Sequence, residues 1–210
     1  MNSNFRILLF FILMFSSAFV YAQNDTEVTQ EDGMLLSKFT ESSEGVKNGN
    51  YQLFYKDHLI EKGQYSFGKK VGKWQYFNFN KILEYEYDFD NMLVTRIGGE
   101  HITKNTRFNT PCYFEGSPLI PYLFMVSNVN YPKGAINNDV TGRVVLTLKI
   151  NQKGKVYGFY ISEKLNSELD KAVMDAARKI PTDWHFFPAT REGQSLLSEY
   201  VIPIEFELGM

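Results

Sequence analysis

The sequence predicts an α+β protein of two modules, a run of β-hairpin repeats followed by a three-stranded antiparallel sheet with helices packed on one face. Three observations carry this expectation. An internal repeat with a 23-residue shift occupies the middle of the chain, segments 143–150 and 200–208 carry an apolar residue at every second position, and segment 167–180 carries apolar residues at helical spacing. The aromatic content agrees, since 18 Phe, 13 Tyr and 2 Trp among 210 residues favour strands over helices.

Residues 1–22 read as a cleavable signal peptide. Arg6 precedes the apolar run Ile7 to Tyr21, a stretch of about 15 residues that is short of the ~20 needed to span a bilayer. Val20-Tyr21-Ala22 supplies a processing site ahead of polar Gln23-Asn24-Asp25. The expected location is the periplasm, with an uncleaved inner-membrane anchor as the alternative. The formal charge is −2, and removal of residues 1–22 takes away Arg6 alone among charged side chains. A slightly acidic chain argues against nucleic acid and anionic membrane as partners. Cys112 is the single cysteine, so no intrachain disulfide forms, and it lies too far from the signal region to be lipidated.

Residues 23–45 are expected as a polar connector, a tail followed by a strand or short connector around Met34-Leu35-Leu36, and the hairpins that follow would stack on Met34–Phe39 or on the next module. The β-repeat module is expected over 46–100. There Gly49-Asn50-Tyr51-Gln52-Leu53-Phe54 aligns with Gly72-Lys73-Trp74-Gln75-Tyr76-Phe77, and Leu59-Ile60-Glu61 with Ile82-Leu83-Glu84, each pair consistent with one hairpin used twice. Glu84 to Phe89 alternates, placing its aromatics on one face. Residues 90–110 read as a loose connector around Gly98-Gly99.

The second module is expected over 111–210. Val144, Leu146, Leu148 and Ile150 share one face of a strand; Asn151-Gln152-Lys153-Gly154 turns the chain; and a bulge near Gly158 would bring Val156, Phe159 and Ile161 to one face of the next strand. A helix follows with Ser167 and Asp170 as a capping box and Leu169, Ala172, Val173, Ala176 and Ile180 on its apolar side, ended by Pro181. In the last strand Tyr200, Ile202, Ile204, Phe206 and Leu208 face inward, against Glu199, Glu205 and Glu207.

No catalytic constellation, metal site or cofactor motif is expected. His58, His101 and His185 lack the spacing of zinc ligands, Cys112 has no base beside it in sequence, and Ser117 lacks the flanks of a nucleophile elbow. Gly68-Lys69-Lys70-Val71-Gly72-Lys73 places Trp74 where a phosphate loop needs Ser or Thr.

Gly63, Tyr65, Gly68, Lys69, Gly72, Trp74 and Tyr76 resemble the MORN-type repeat in its bacterial YwqK-type variant. The second module resembles the TonB C-terminal domain family. The matching residues, in order, are Tyr131-Pro132-Lys133-Gly134-Ala135, Gly142-Arg143-Val144, Asn151 to Val156, Leu169-Asp170 with Ala172 and Ala176, Trp184 with Pro188, Gly193-Gln194, and Pro203-Ile204 with Phe206. Upstream, Tyr113-Phe114-Glu115-Gly116 and the apolar stretch through Leu119, Leu123 and Phe124 are similar to the Bacteroidetes version, with Glu115 and Ser117 departing from its Phe-Pro-Gly-Gly pattern. The resemblance implies a protein-binding, non-enzymatic module. Its partner would be a peptide segment of an outer-membrane TonB-dependent transporter, or of another envelope protein, added as a strand at the sheet edge. Carried over by position, the contacts would come from Asn130, Tyr131 and Pro132 and from Tyr200, Val201, Ile202, Ile204 and Phe206. The same edge would permit a strand-exchanged homodimer. A membrane-anchored energy transducer, or an envelope interaction module acting through the repeats, are the alternatives. Pro203 removes one donor from the candidate edge, and no Pro-rich spacer is present.

Overall fold

The computed structural model describes residues 25–103 and 108–208, so the expected signal peptide at 1–22 lies outside the described residues. Eight consecutive strands form one antiparallel meander: β1 (Thr26–Asp32), β2 (Leu35–Glu41), β3 (Lys47–Tyr55), β4 (His58–Ser66), β5 (Lys69–Phe77), β6 (Leu83–Asp88), β7 (Leu93–Ile97) and β8 (Glu100–His101). The 23-residue shift maps β3 onto β5 and β4 onto β6, so the repeated unit is a hairpin. Two expectations need correction here. Of the two forms open for the end of segment 23–45 the chain takes the strand, β2, and the polar tail before it is no connector either, because it forms β1 and pairs with β2 over seven residues. The loose stretch after residue 90 contributes β7 and β8 to the same sheet. The strand β1 carries no signal of its own, since it reads TEVTQED and is exposed along nearly its whole length. Without a buried face there is no alternation to find.

One face of this sheet is aromatic. Trp74 and Tyr76 are fully buried, and Tyr85 and Tyr87 nearly so. Gly63 has to be glycine at this position, because a Cβ there would collide with the Trp74 indole, whose Nε1–H donates to the Gln64 carbonyl at 3.1 Å. A single sheet has nothing of its own to cover such a face. The cover comes from the second module, whose Tyr113 stacks on Tyr85 and whose Phe187 stacks on Tyr87 with ring centroids 3.9 Å apart.

The second module contains β9 (Tyr113–Phe114), α1 (Leu119–Asn128), α2 (Lys133–Asn137), β10 (Gly142–Ile150), β11 (Val156–Glu163), α3 (Ser167–Ala177), β12 (Phe186–Phe187), β13 (Thr190–Arg191), β14 (Gln194–Ser195) and β15 (Ser198–Phe206). Its main sheet has the order β11-β10-β15, all antiparallel. Val144, Leu146, Leu148 and Ile150 of central β10 are fully buried beneath Leu169, Val173 and Ala176 of α3, with Ile202, Ile204 and Phe206 from β15. The register between β10 and β11 slips between Lys149↔Gly158 and Ile150↔Val156, which is the bulge that returns Val156, Phe159 and Ile161 to the core side. Gly154 turns the hairpin at φ +74°, and a side chain there would meet the Phe186 carbonyl. The helix cap lies one residue earlier than the sequence suggested. Asn166 is the N-cap, and its side chain accepts from the Glu168 N–H at 2.8 Å. Asp170 instead accepts from Leu165 N–H. Among the described residues no helix is long and apolar enough to cross a membrane.

The modules are joined by polar as well as apolar contacts. The Ser117 N–H donates to buried Glu61 Oε1 at 2.7 Å, Ser117 Oγ donates to the Phe77 carbonyl at 2.8 Å, and the Tyr85 hydroxyl donates to the Phe114 carbonyl. Leu119 and Leu123 of α1 pack on Leu53 and Ile60.

Candidate peptide-binding edge

The candidate site grows from where β15 lies. It pairs with β10 on one side only, without a register shift from Gly142↔Phe206 to Ile150↔Ser198, and among the described residues no strand occupies its other side. Pro203 now decides which backbone groups face that open side. A proline has no N–H to give β10, so an unbroken ladder requires the Val145↔Pro203 pair to be the kind without mutual hydrogen bonds. Alternation then turns the backbone of Glu199, Val201 and Glu205 outward as well, leaving three free N–H groups and four free carbonyls along one line.

The side chains sort by the same parity. Ile202, Ile204 and Phe206 are core residues, each 4% exposed or less, and Tyr200 packs on Phe186 with ring centroids 5.1 Å apart. These four of the predicted contacts therefore reach a bound strand only through what they hold in place. Val201 is 55% exposed and lies on the outer sheet face between Glu199 and Glu205. Glu205 is tied to Arg143 at 3.3 Å, and Glu199 Oε1 accepts from the Tyr160 hydroxyl at 2.9 Å. The sequence pattern sets Glu199 and Glu205 only on the outward face of the strand; the proline parity is the signal that places their backbone on the open rim.

Tyr131 meets the far end of the same strand. Its ring stands edge-on to Phe206 at 5.2 Å, and its hydroxyl donates to the Val140 carbonyl. Asn130 is exposed beside it, and Pro132 begins α2 as its N-cap. Asn130 and Pro132 border a shallow groove of about 360 Å³ whose other wall is α3, through Lys171, Ala172, Asp175 and Ala176. The structure thus brings Asn130, Tyr131 and Pro132 to the Phe206 end of β15, while Tyr200 stands at the opposite end. α2 presses on α3 closely enough that a side chain at Gly134 would strike the Glu168 carboxylate.

His185 and His58 lie away from this edge. Burial pushes the Cys112 thiol up to about 12, which keeps it protonated and a poor nucleophile. His185 Nδ1 lies 2.8 Å from Glu115 Oε2, though too poorly aligned for a full hydrogen bond, and Nε2 faces the Lys153 carbonyl at 3.1 Å. His58 Nε2 faces the Asn78 carbonyl at 3.2 Å.

Residues 127–208 match the family of Gram-negative bacterial TonB protein C-terminal domains. Protein TonB of Xanthomonas campestris pv. campestris, in strain B100 and in strain ATCC 33913, is 34% identical over 79 residues, covering 37% of this chain and 34% of the relative. The chain thus spans about a third of the length of these curated relatives. No solved structure matches the chain. The matched stretch contains Asn130, Tyr131, Pro132 and the whole of β15, so the open edge lies inside the region that is similar to the TonB C-terminal family.

Proposed function

We propose that this is an exported, non-enzymatic binding protein of the periplasm. Its C-terminal domain captures an extended peptide segment of an outer-membrane TonB-dependent transporter by strand addition along β15. The observation that carries this reading is the unpaired outer side of β15, with the backbone of Glu199, Val201 and Glu205 turned toward it. An incoming strand would take its affinity from main-chain hydrogen bonds and would need little side-chain specificity. Asn130, Tyr131 and Pro132 flank its path at the Phe206 end. Pro203 leaves a gap of one donor in the middle of the ladder, so the added strand bonds on either side of it. The likeness of residues 127–208 to the TonB C-terminal family supports the choice of partner. The repeats upstream, read as MORN-type, hold this domain in place through Glu61 and the aromatic face.

A photo-crosslinking amino acid placed at Val201 in cells tests the proposal. Expected is a crosslink to an outer-membrane transporter that is absent when the same group replaces Lys164 on the far side of the module. Crosslinking to a second copy of the chain would instead identify the edge as a dimer contact, and crosslinks from Lys164 alone would overturn the reading.

A further inference from the structure

The repeat sheet has a second face, which the C-terminal module does not cover. Its outward residues line a shallow open trough of about 680 Å³ across β1 to β5. The strand registers put Thr29 opposite Lys38, Lys38 opposite Gln52, Gln52 opposite Lys62 and Lys62 opposite Gln75. These side chains form one row across the strands, which from Lys38 to Gln75 alternates lysine with amide. Lys38, Gln52 and Lys62 are exposed, and among the described residues their side chains make no hydrogen bond or ion pair. Phe54 and Phe77 lie beneath the two lysines, with Nζ 5.4 Å and 5.9 Å from the ring centroids. Those rings steady the lysine stems and offer flat apolar ground beside the row.

Charge separates this face from an ordinary solvated one. The chain holds 24 acidic against 22 basic side chains, yet among the described residues the trough is lined by Lys38 and Lys62 without a paired carboxylate, by Lys73 paired with Glu86, and by Glu27 as the one carboxylate of the lining. Glu86, next to the row, is already satisfied by Gln75 at 2.6 Å, by Thr95 at 2.7 Å and by Lys73 at 3.7 Å. Adjacent strands stand about 4.8 Å apart, so Lys38 and Lys62 present their charges at intervals of roughly 10 Å. That is close to the axial repeat of a disaccharide in an extended β-linked chain. The Gln52 amide between them offers two donors and an acceptor to sugar hydroxyl or N-acyl groups.

We propose that this face binds an extended β-linked glycan carrying a carboxylate on alternate sugars, with Lys38 and Lys62 pairing the carboxylates and Gln52 bonding the sugar between them. The site belongs to the repeat module and is independent of strand addition at β15.

Titration calorimetry on the full chain tests it with a hyaluronate hexasaccharide, whose acidic sugars alternate, and with neutral chitohexaose. The charge reversal K38E/K62E should weaken hyaluronate binding at least tenfold, while K153E/K164E, with the same change in net charge on the other module, should leave it within twofold. Thermal melts establish that both variants fold, and K38Q/K62Q replaces the reversal if that variant does not. Absence of hyaluronate binding, equal affinity for chitohexaose, or equal losses in the two reversals would each overturn the proposal. So would comparable affinity for anionic phospholipid vesicles or single-stranded DNA, which would reduce the face to a general cation patch.

Discussion

The two modules solve the problem of burying a sheet in different ways. The C-terminal domain is closed on itself: an aliphatic strand, β10, is roofed by α3 and α1 and needs nothing from the repeats to cover it. The repeat sheet has no helix. Its large aromatic residues fill a wide, shallow space, and part of their cover is borrowed from Tyr113, Phe187, Leu119 and Leu123. Aromatic rings suit such a borrowed interface because each buries a large area through few rotatable bonds. The difference teaches that dependence runs one way, from the repeats to the domain.

The sharpest way to break this comparison is to separate the modules. Residues 108–210 alone should unfold cooperatively in urea, whereas residues 23–103 alone should show no cooperative transition. A stable isolated repeat sheet would contradict one-way dependence. Next in size is Trp74→Ala in the full chain, which opens a cavity under Gly63 and should cost about 3–5 kcal/mol. Urea unfolding followed by far-UV signal should show the loss in the repeats, with the fold of the C-terminal domain retained.

Much of this division was legible in the sequence, and the omissions have physical causes. Val144, Leu146, Leu148 and Ile150 announce a half-buried strand by parity alone, and even the bulge beside Gly158 is implied by the parity change from Val156 to Phe159. The strand β1 escapes because a solvated edge has no buried face to pattern. The Asn166 cap was missed because Ser167 and Asp170 offer an equally good local pattern, and only the backbone shows where the helix begins. Glu61 is the deepest omission. A carboxylate after Leu59-Ile60 reads as an outward charge, but a bulge in β4 turns it inward, toward a Ser117 N–H that lies 56 residues away in sequence. Nothing local encodes such a partner. In the candidate site, the edge strand was expected from resemblance, while its outward backbone followed only once the register placed Pro203 opposite Val145.

Glu61 also sharpens the comparison through pH. Burial raises its pKa above the ordinary carboxylate range, opposed by the Lys70 charge and the Ser117 N–H, with Glu115 adding to the rise and Lys47 opposing it. A folded-state pKa above the unfolded one means the folded chain holds this proton more tightly. The associated stability is fully present below the unfolded value near 4.5 and is lost as pH rises through the raised value. Glu61→Gln keeps an oxygen for Ser117 and removes the titration. The stability of the natural chain relative to this variant should therefore fall as pH is raised from about 4 to neutrality, measured as the gap between their urea midpoints. A constant gap would show that the modules meet through Glu61 without proton linkage. The smallest effect expected is that of Tyr131→Phe, which removes the bond to the Val140 carbonyl and should cost about 1 kcal/mol, confined to the C-terminal domain.

Amide hydrogen exchange on the folded chain, followed by NMR, offers the closest view of the edge itself. Adding a peptide from the periplasmic N-terminal segment of a TonB-dependent transporter should slow exchange at the N–H groups of Val201 and Glu205 while leaving those of Ile202 and Ile204, already paired to β10, unchanged. Peptide binding that leaves Val201 and Glu205 exchanging at their free rates would contradict strand addition at β15.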